Sequence, residues 1–170
     1  YSQCRVRGIE NVTVITADVN EFEADKTFDR VVSVEMFEHM RNYELLMRNI
    51  SSWLKPGGKL FVHIFCHREL MYPFTTDGDD DWMGKYFFTG GLMPAENTLL
   101  QFQNDLDIEG QWRVSGENYE KTSNAWLAKM DNNRNDVLSV LTQAYGASDA
   151  ERWLNRWRMF FMAVAELFGY

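Results

Sequence analysis

Two apolar runs flanking an amphipathic stretch constrain this chain most. Phe28-Asp29-Arg30-Val31-Val32-Ser33-Val34 is short and nearly continuous in its apolar residues, the pattern of a strand buried on both faces of a parallel sheet. From Asn42 to Leu54, apolar residues fall at Tyr43, Leu46, Met47, Ile50, Trp53 and Leu54, one face of a helix, and Lys55-Pro56-Gly57-Gly58 stops it. Lys59 to Phe65 reads as the next strand. Strand, helix and strand in this order form a βαβ unit with a right-handed crossover and a parallel strand pair. Val12-Thr13-Val14-Ile15-Thr16-Ala17, β-branched and followed by Asp18-Val19-Asn20, reads as another buried strand ending in a polar loop. The fold class is therefore α/β.

After His67 the periodicity breaks up. An acidic loop, Thr75 to Asp81, and an aromatic-to-glycine turn, Phe87-Phe88-Thr89-Gly90-Gly91, suggest an insertion over a site. A short helix is expected from about Pro94 to Phe102 and a strand from about Ile108 to Val114. A helix beginning near Thr122 would present Trp126, Met130, Val137, Leu138 and Leu141. The last helix carries the stripe Trp153, Leu154, Trp157, Phe160, Phe161, Val164, Leu167 and Phe168. Ser148-Asp149-Ala150-Glu151 reads as its capping box, and Gly169 as its end.

Charge narrows the partners. Seventeen basic against 25 acidic side chains give a formal net charge of −8, which repels nucleic-acid phosphates and disfavours anionic membrane surfaces. The longest apolar run, Met159 to Ala165, is far short of a bilayer span, and no basic-then-apolar signal opens the chain, although residue 1 is not Met. Cys4 and Cys66 are too few for a disulfide framework, so a reducing, cytoplasmic setting fits best. At 170 residues the chain has length for one sizeable core.

Glu35, Glu38 and His39 stand at i, i+3 and i+4. If the chain turns helical after Val34, both carboxylates and the imidazole share one face, beyond the carboxyl end of a strand where α/β sheets bind ligands. The same residues also read as a solvated first helical turn, where acids suit the helix dipole. His63 lies inside an apolar strand, the setting of a hydrogen-bonded core histidine, and His67 falls just beyond it. On a strand these two would be roughly 13 Å apart at about 3.3 Å per residue, too far to share an ion, so no metal site is expected. Asp18 is suited to accept a hydrogen bond from an adenine amino group, with the Val19 N–H meeting the ring; it reads equally as an ordinary loop aspartate. Tyr119 and the aromatic stripe of the last helix read as ligand contacts or as core. No Gly-x-Gly occurs, so either there is no nucleotide cofactor or its glycine loop lies upstream.

Taken together, residues 11–20, Ser33-Val34-Glu35-Met36-Phe37-Glu38-His39-Met40, Phe61 to His67, Tyr86-Phe87-Phe88-Thr89-Gly90-Gly91-Leu92-Met93-Pro94, Tyr119 to Trp126 and Trp157 to Tyr170 resemble the plant coclaurine N-methyltransferase family. That family groups with the cyclopropane fatty acid synthases among class I S-adenosylmethionine (SAM)-dependent methyltransferases. The resemblance implies a seven-stranded Rossmann-like sheet whose first two strands and glycine-rich SAM loop precede this sequence and whose closing strand follows it. A fragment cut at both ends is thus expected: one partial methyltransferase domain, with core strands and helices over 1–66, a substrate-covering insertion over 67–146 and a core helix over 147–170.

Carried over by position, the resemblance implies that Asp18 and Val19 hold the adenine of SAM. It implies that Glu35, Glu38 and His39 are catalytic, and that Phe88 and Trp157 line the substrate pocket. Glu38, His63 and Tyr119 are similar to residues that hold a bicarbonate base in the cyclopropane synthases. The implied reaction is transfer of a methyl group to the secondary amine of a benzylisoquinoline-type alkaloid or related amine, with Glu38 or Glu35 holding the ammonium while His39 or Glu38 accepts its proton. The rival readings are methylenation of a lipid acyl chain and, since the glycine loop is missing, an inactive or binding-only product. A small-molecule amine is the expected partner; homo-oligomerisation is left open.

Overall fold

The computed structural model describes residues 2–170. A short helix, α1 (Ser2–Val6), leads into an irregular segment that enters no ladder. Residues 12–17, expected as a buried strand, lie there, and Val12, Val14 and Ile15 are exposed. β-Branched residues make a strand only where a neighbour accepts their backbone groups and covers their side chains. Among the described residues no neighbouring strand does so.

The βαβ unit forms as expected. β1 (Phe28–Val34) pairs in parallel with β2 (Leu54–His63), in regular register from Arg30↔Lys59 to Val34↔His63. Between them α2 (Tyr43–Trp53) starts at Asn42, whose side chain accepts the Leu45 N–H at 3.0 Å and so satisfies one of the orphan donors of the first turn. This helix buries Tyr43, Leu46, Met47 and Ile50. Full burial of a large apolar side chain contributes about 1.5–3 kcal/mol each, so this stripe anchors the unit. Gly57, at φ +74°, lies in the first part of β2, where the register shifts between Phe28↔Leu54 and Arg30↔Lys59, in a conformation that costs a side-chain-bearing residue more.

The cover of the sheet differs from expectation. Val31, Ser33, Leu60 and Val62 face the core, whereas Val32, Val34 and Phe61 are exposed. Only one face is packed among the described residues, which gives period-two burial in place of two-sided burial.

Beyond β2, β3 (Tyr72–Pro73) and β4 (Leu92–Met93) form a short antiparallel ladder that brackets α3 (Trp82–Tyr86). The helix expected over about 94–102 is reduced to a 3-10 turn at Thr98–Gln101. These elements complete a first compact unit, which ends at Ile108.

The second unit, from Glu109, contains α4 (Glu117–Asn132), α5 (Arg134–Tyr145) and α6 (Ala150–Gly169). The division between the two compact units falls between Ile108 and Glu109. No strand forms over 108–114, where Trp112 and Val114 are exposed. The helix expected near Thr122 begins at Glu117 and breaks at Asn133, whose Nδ2 donates to the Lys129 carbonyl at 2.7 Å and competes with the helical ladder. Met130, Leu141, Ala150 and Leu154 form the core of this unit, while Trp126 and Leu167 are exposed.

The capping box does not form. Asp149 is the N-cap of α6 and makes no side-chain capping bond. Glu151 instead takes both of its oxygens to Arg134 Nη2, at 2.7 and 2.6 Å, because a guanidinium is a stronger partner for a carboxylate than a neutral N–H.

Candidate active site

β1 ends at Val34, and Glu35 then adopts φ +50°, a left-handed conformation that is costly for a residue with a Cβ. Its backbone N–H donates to the His63 carbonyl at 2.9 Å, extending the sheet by one step before the chain turns away. A 3-10 turn follows at Phe37–His39. The common helical face expected for Glu35, Glu38 and His39 is therefore replaced by one left-handed residue and one tight turn. The three side chains still gather beyond the carboxyl end of β1.

His63 joins them from the end of β2. Glu35 Oε1 lies 3.0 Å from His63 Nδ1, and Glu38 Oε1 lies 3.9 Å from His39 Nε2. His63 is not a core histidine, since its side chain is 42% exposed and that of His39 is 50% exposed. Parallel pairing explains this, because it sets His63 opposite Val34, where the sheet ends.

Glu38 is only 2% exposed. Burial pushes its carboxyl up to about 7; its own backbone N–H opposes the shift, the charge of Glu35 adds to it, and His63 opposes it. Burial also raises the Glu35 carboxyl, against the attraction of His63 and His39. Glu35 Oε1 and His63 Nδ1 approach each other without full hydrogen-bond alignment, and Ser33 Oγ and Glu38 Oε2 are buried with no hydrogen-bond partner. Leaving such atoms unsatisfied costs about 1–3 kcal/mol each, and their clustering marks a place where a polar ligand or its proton belongs.

An aromatic wall adjoins this cluster. The Phe88 ring stacks 6.2 Å from His39 and 5.0 Å from Phe74, with Phe65 edge-on at 5.8 Å. Arg41 Nε donates to the Gly90 carbonyl at 2.8 Å and ties the turn bearing Phe88 to the chain just after His39. Gly91 packs on the same turn, where an added Cβ would meet the Glu38 carbonyl oxygen at 2.9 Å.

Sequence reasoning missed Arg41, Phe65 and Phe74. Phe65, two residues past His63 at the end of an apolar run, carried a signal; Phe74, inside an irregular segment, carried none.

Asp18 sits on an exposed turn in which its Oδ1 accepts the Asn20 backbone N–H at 2.9 Å and the Asn20 Nδ2 at 2.8 Å. Val19 is partly buried and packs against the core cluster of the first unit. Tyr119 and Trp157 lie in the second unit, where Tyr119 stacks on Phe168 at 4.5 Å and Trp157 packs against Phe160 and Phe161. Among the described residues no group of three His, Cys, Asp or Glu side chains is arranged to hold a metal ion. None of their helices is long and apolar enough to cross a membrane.

A family model described as mycolic acid cyclopropane synthetase matches residues 2–169. (S)-Coclaurine N-methyltransferase of Papaver somniferum is 38% identical over 173 residues, covering 99% of this chain and 49% of that protein. Pavine N-methyltransferase of Thalictrum flavum subsp. glaucum is 33% identical over 170 residues, covering 98% and 48%. The crystal structure of coclaurine N-methyltransferase bound to N-methylheliamine and SAH superposes with a TM-score of 0.90 at 35% identity, over 99% of this chain and 50% of that one. The chain thus spans about half the length of the curated relatives it matches.

Proposed function

The chain belongs to the mycolic acid cyclopropane synthetase family, and on that premise we propose that the protein carrying it is a SAM-dependent N-methyltransferase. Its substrate is the secondary amine of a benzylisoquinoline-type alkaloid or a related amine. The relatives named for coclaurine and pavine support this choice over an acyl chain. One observation carries it: a carboxyl that is 2% exposed and raised to about 7 stands beside an imidazole and a second carboxyl.

A secondary amine is largely cationic at neutral pH and has no lone pair to offer until it loses a proton. Glu38 is matched to that task, because a base whose pKa lies near the working pH combines ionisation with driving force. Glu35, paired with His63, adds the negative charge that holds the ammonium before deprotonation. His39, half exposed and 3.9 Å from Glu38, passes the proton outward. Phe88, Phe74 and Phe65 offer aromatic faces to a cationic ring system.

In this reading the adenine end of SAM meets Asp18, an exposed acceptor whose turn is fixed by Asn20, and the adjoining Val19 N–H. When bound, SAM supplies an electrophilic methyl group. Tyr119 and Trp157 belong to the same reading as substrate contacts of the second unit. So does a larger Rossmann-like sheet containing β1 and β2, a view supported by the exposed Val32, Val34 and Phe61.

Incubating the whole protein with methyl-labelled SAM and either a benzylisoquinoline amine or unsaturated phospholipid tests the proposal. Label is expected in the amine. Label in lipid alone overturns it.

A further inference from the structure

The chemistry above leaves Tyr43 unused, although it is among the most completely buried side chains of the first unit, at 1% exposure. Its hydroxyl donates to the Phe37 carbonyl at 2.9 Å, and the same oxygen accepts the Met40 N–H at 3.0 Å. That carbonyl belongs to the peptide whose nitrogen is Glu38's own. The orientation of this peptide plane therefore sets the direction in which the Glu38 side chain leaves the backbone.

The phenol is itself firmly held. Tyr43 is the first residue of α2, directly after the Asn42 cap. Its ring stacks on Phe37 at 5.8 Å and meets Phe102 edge-on at 5.4 Å. Burial, with the charge of Glu38 adding to it, pushes the phenol up to about 12, so the hydroxyl remains a donor across the working pH range. A helix terminus, a ring stack and one hydrogen bond thus converge on a single peptide.

We propose that Tyr43 is a positioning residue, which clamps the Phe37–Glu38 peptide and so keeps the Glu38 carboxyl in its buried position between Glu35 and His39. The inference rests on the reading of Glu38 as the base. The ionisable groups facing Glu38 are Glu35 at the end of β1, His63 at the end of β2, His39 on the same turn and Tyr43 on α2. Gly91 contributes only backbone from the opposite turn. Without the hydroxyl, the Phe37 carbonyl keeps one donor, the peptide can tilt, and Glu38 gains access to water. Its carboxyl then returns toward the ordinary range.

The test compares Tyr43→Phe with Glu38→Gln in the whole protein by kcat, KM for the amine, the pH profile of kcat and thermal melting. Tyr43→Phe keeps the ring stack. It is expected to lower kcat about tenfold, the scale of one well-placed buried hydrogen bond, with KM within about twofold and the acid limb moved to lower pH. Glu38→Gln is expected to lose at least about 100-fold. A Tyr43→Phe protein that melts earlier but keeps kcat and its acid limb, beside an inactive Glu38→Gln, shows a purely structural tyrosine and overturns the inference alone. A fully active Glu38→Gln overturns the reading of Glu38 instead.

Discussion

Glu35 Oε1 and His63 Nδ1 stand 3.0 Å apart at the ends of two parallel strands, and the two residues bias the buried Glu38 carboxyl in opposite directions. The negative charge of Glu35 raises it, whereas His63 lowers it. Glu35→Gln is therefore expected to move the acid limb of the kcat profile to lower pH, and His63→Ala to move it to higher pH. Profiles for both variants in the whole protein check this. Displacement of both limbs in the same direction would mean that Glu38 is not the group being titrated.

Glu38→Gln is expected to trade activity for stability. The folded carboxyl is raised to about 7 from an ordinary 4.5, so the folded state favours the protonated form. Stability linked to this group is complete below the unfolded value of 4.5, is lost as pH rises toward 7, and stays lost above it. A neutral glutamine avoids that loss. The Tm of Glu38→Gln should thus match the parent near pH 4 and exceed it increasingly up to about pH 7, while kcat falls by at least about 100-fold. Melting curves at several pH values read the first effect, and turnover reads the second.

Two kinds of information separate what could be read in the sequence from what could not. The βαβ unit was legible because Tyr43, Leu46, Met47 and Ile50 carry their burial in their spacing and Asn42 caps the turn through its own side chain. The membership of Glu35, Glu38 and His39 in one cluster was also legible. Their geometry was not, since a left-handed glutamate at φ +50° follows from no local propensity and is held by its bond to the His63 carbonyl. His63 itself looked like a core residue until the parallel register set it opposite Val34. Residues 12–17 show the converse limit: strand propensity without a paired neighbour among the described residues gives an irregular, exposed segment. The Ser148–Glu151 box failed for a related reason, because Arg134, distant in sequence, claims the glutamate.

Gly91→Ala is expected to impair turnover by pushing on Glu38 from the other side. The added methyl would lie 2.9 Å from the Glu38 carbonyl oxygen and 3.3 Å from that of Phe88, two backbone atoms that cannot swing aside as a flexible side chain can. Gly90→Ala provides the contrast. Its Cβ meets nothing within 4 Å, but its φ of +79° strains any residue with a side chain, at a cost of about 1 kcal/mol. Lower Tm in both, with the larger kcat loss confined to Gly91→Ala, is the expected pattern. Equal kcat losses would assign the effect to turn strain, not to contact with Glu38.

Phe88→Leu separates recognition of the amine from its deprotonation. The ring contacts His39, Phe74 and Phe65, so leucine retains apolar bulk while removing the aromatic face that attracts a cation. That attraction acts on the ammonium before its proton is lost, and an interaction made mainly with the bound ground state appears in KM. KM for the amine is expected to rise about tenfold, with kcat changed by less than about threefold and the acid limb unmoved. Arg41→Ala, which frees the Gly90 carbonyl without touching the ring, should reproduce a smaller part of the same KM increase. A Phe88→Leu protein that loses kcat and keeps KM would mean that the ring serves the reaction step, and the aromatic wall would then have to be reassigned from binding to alignment of the amine.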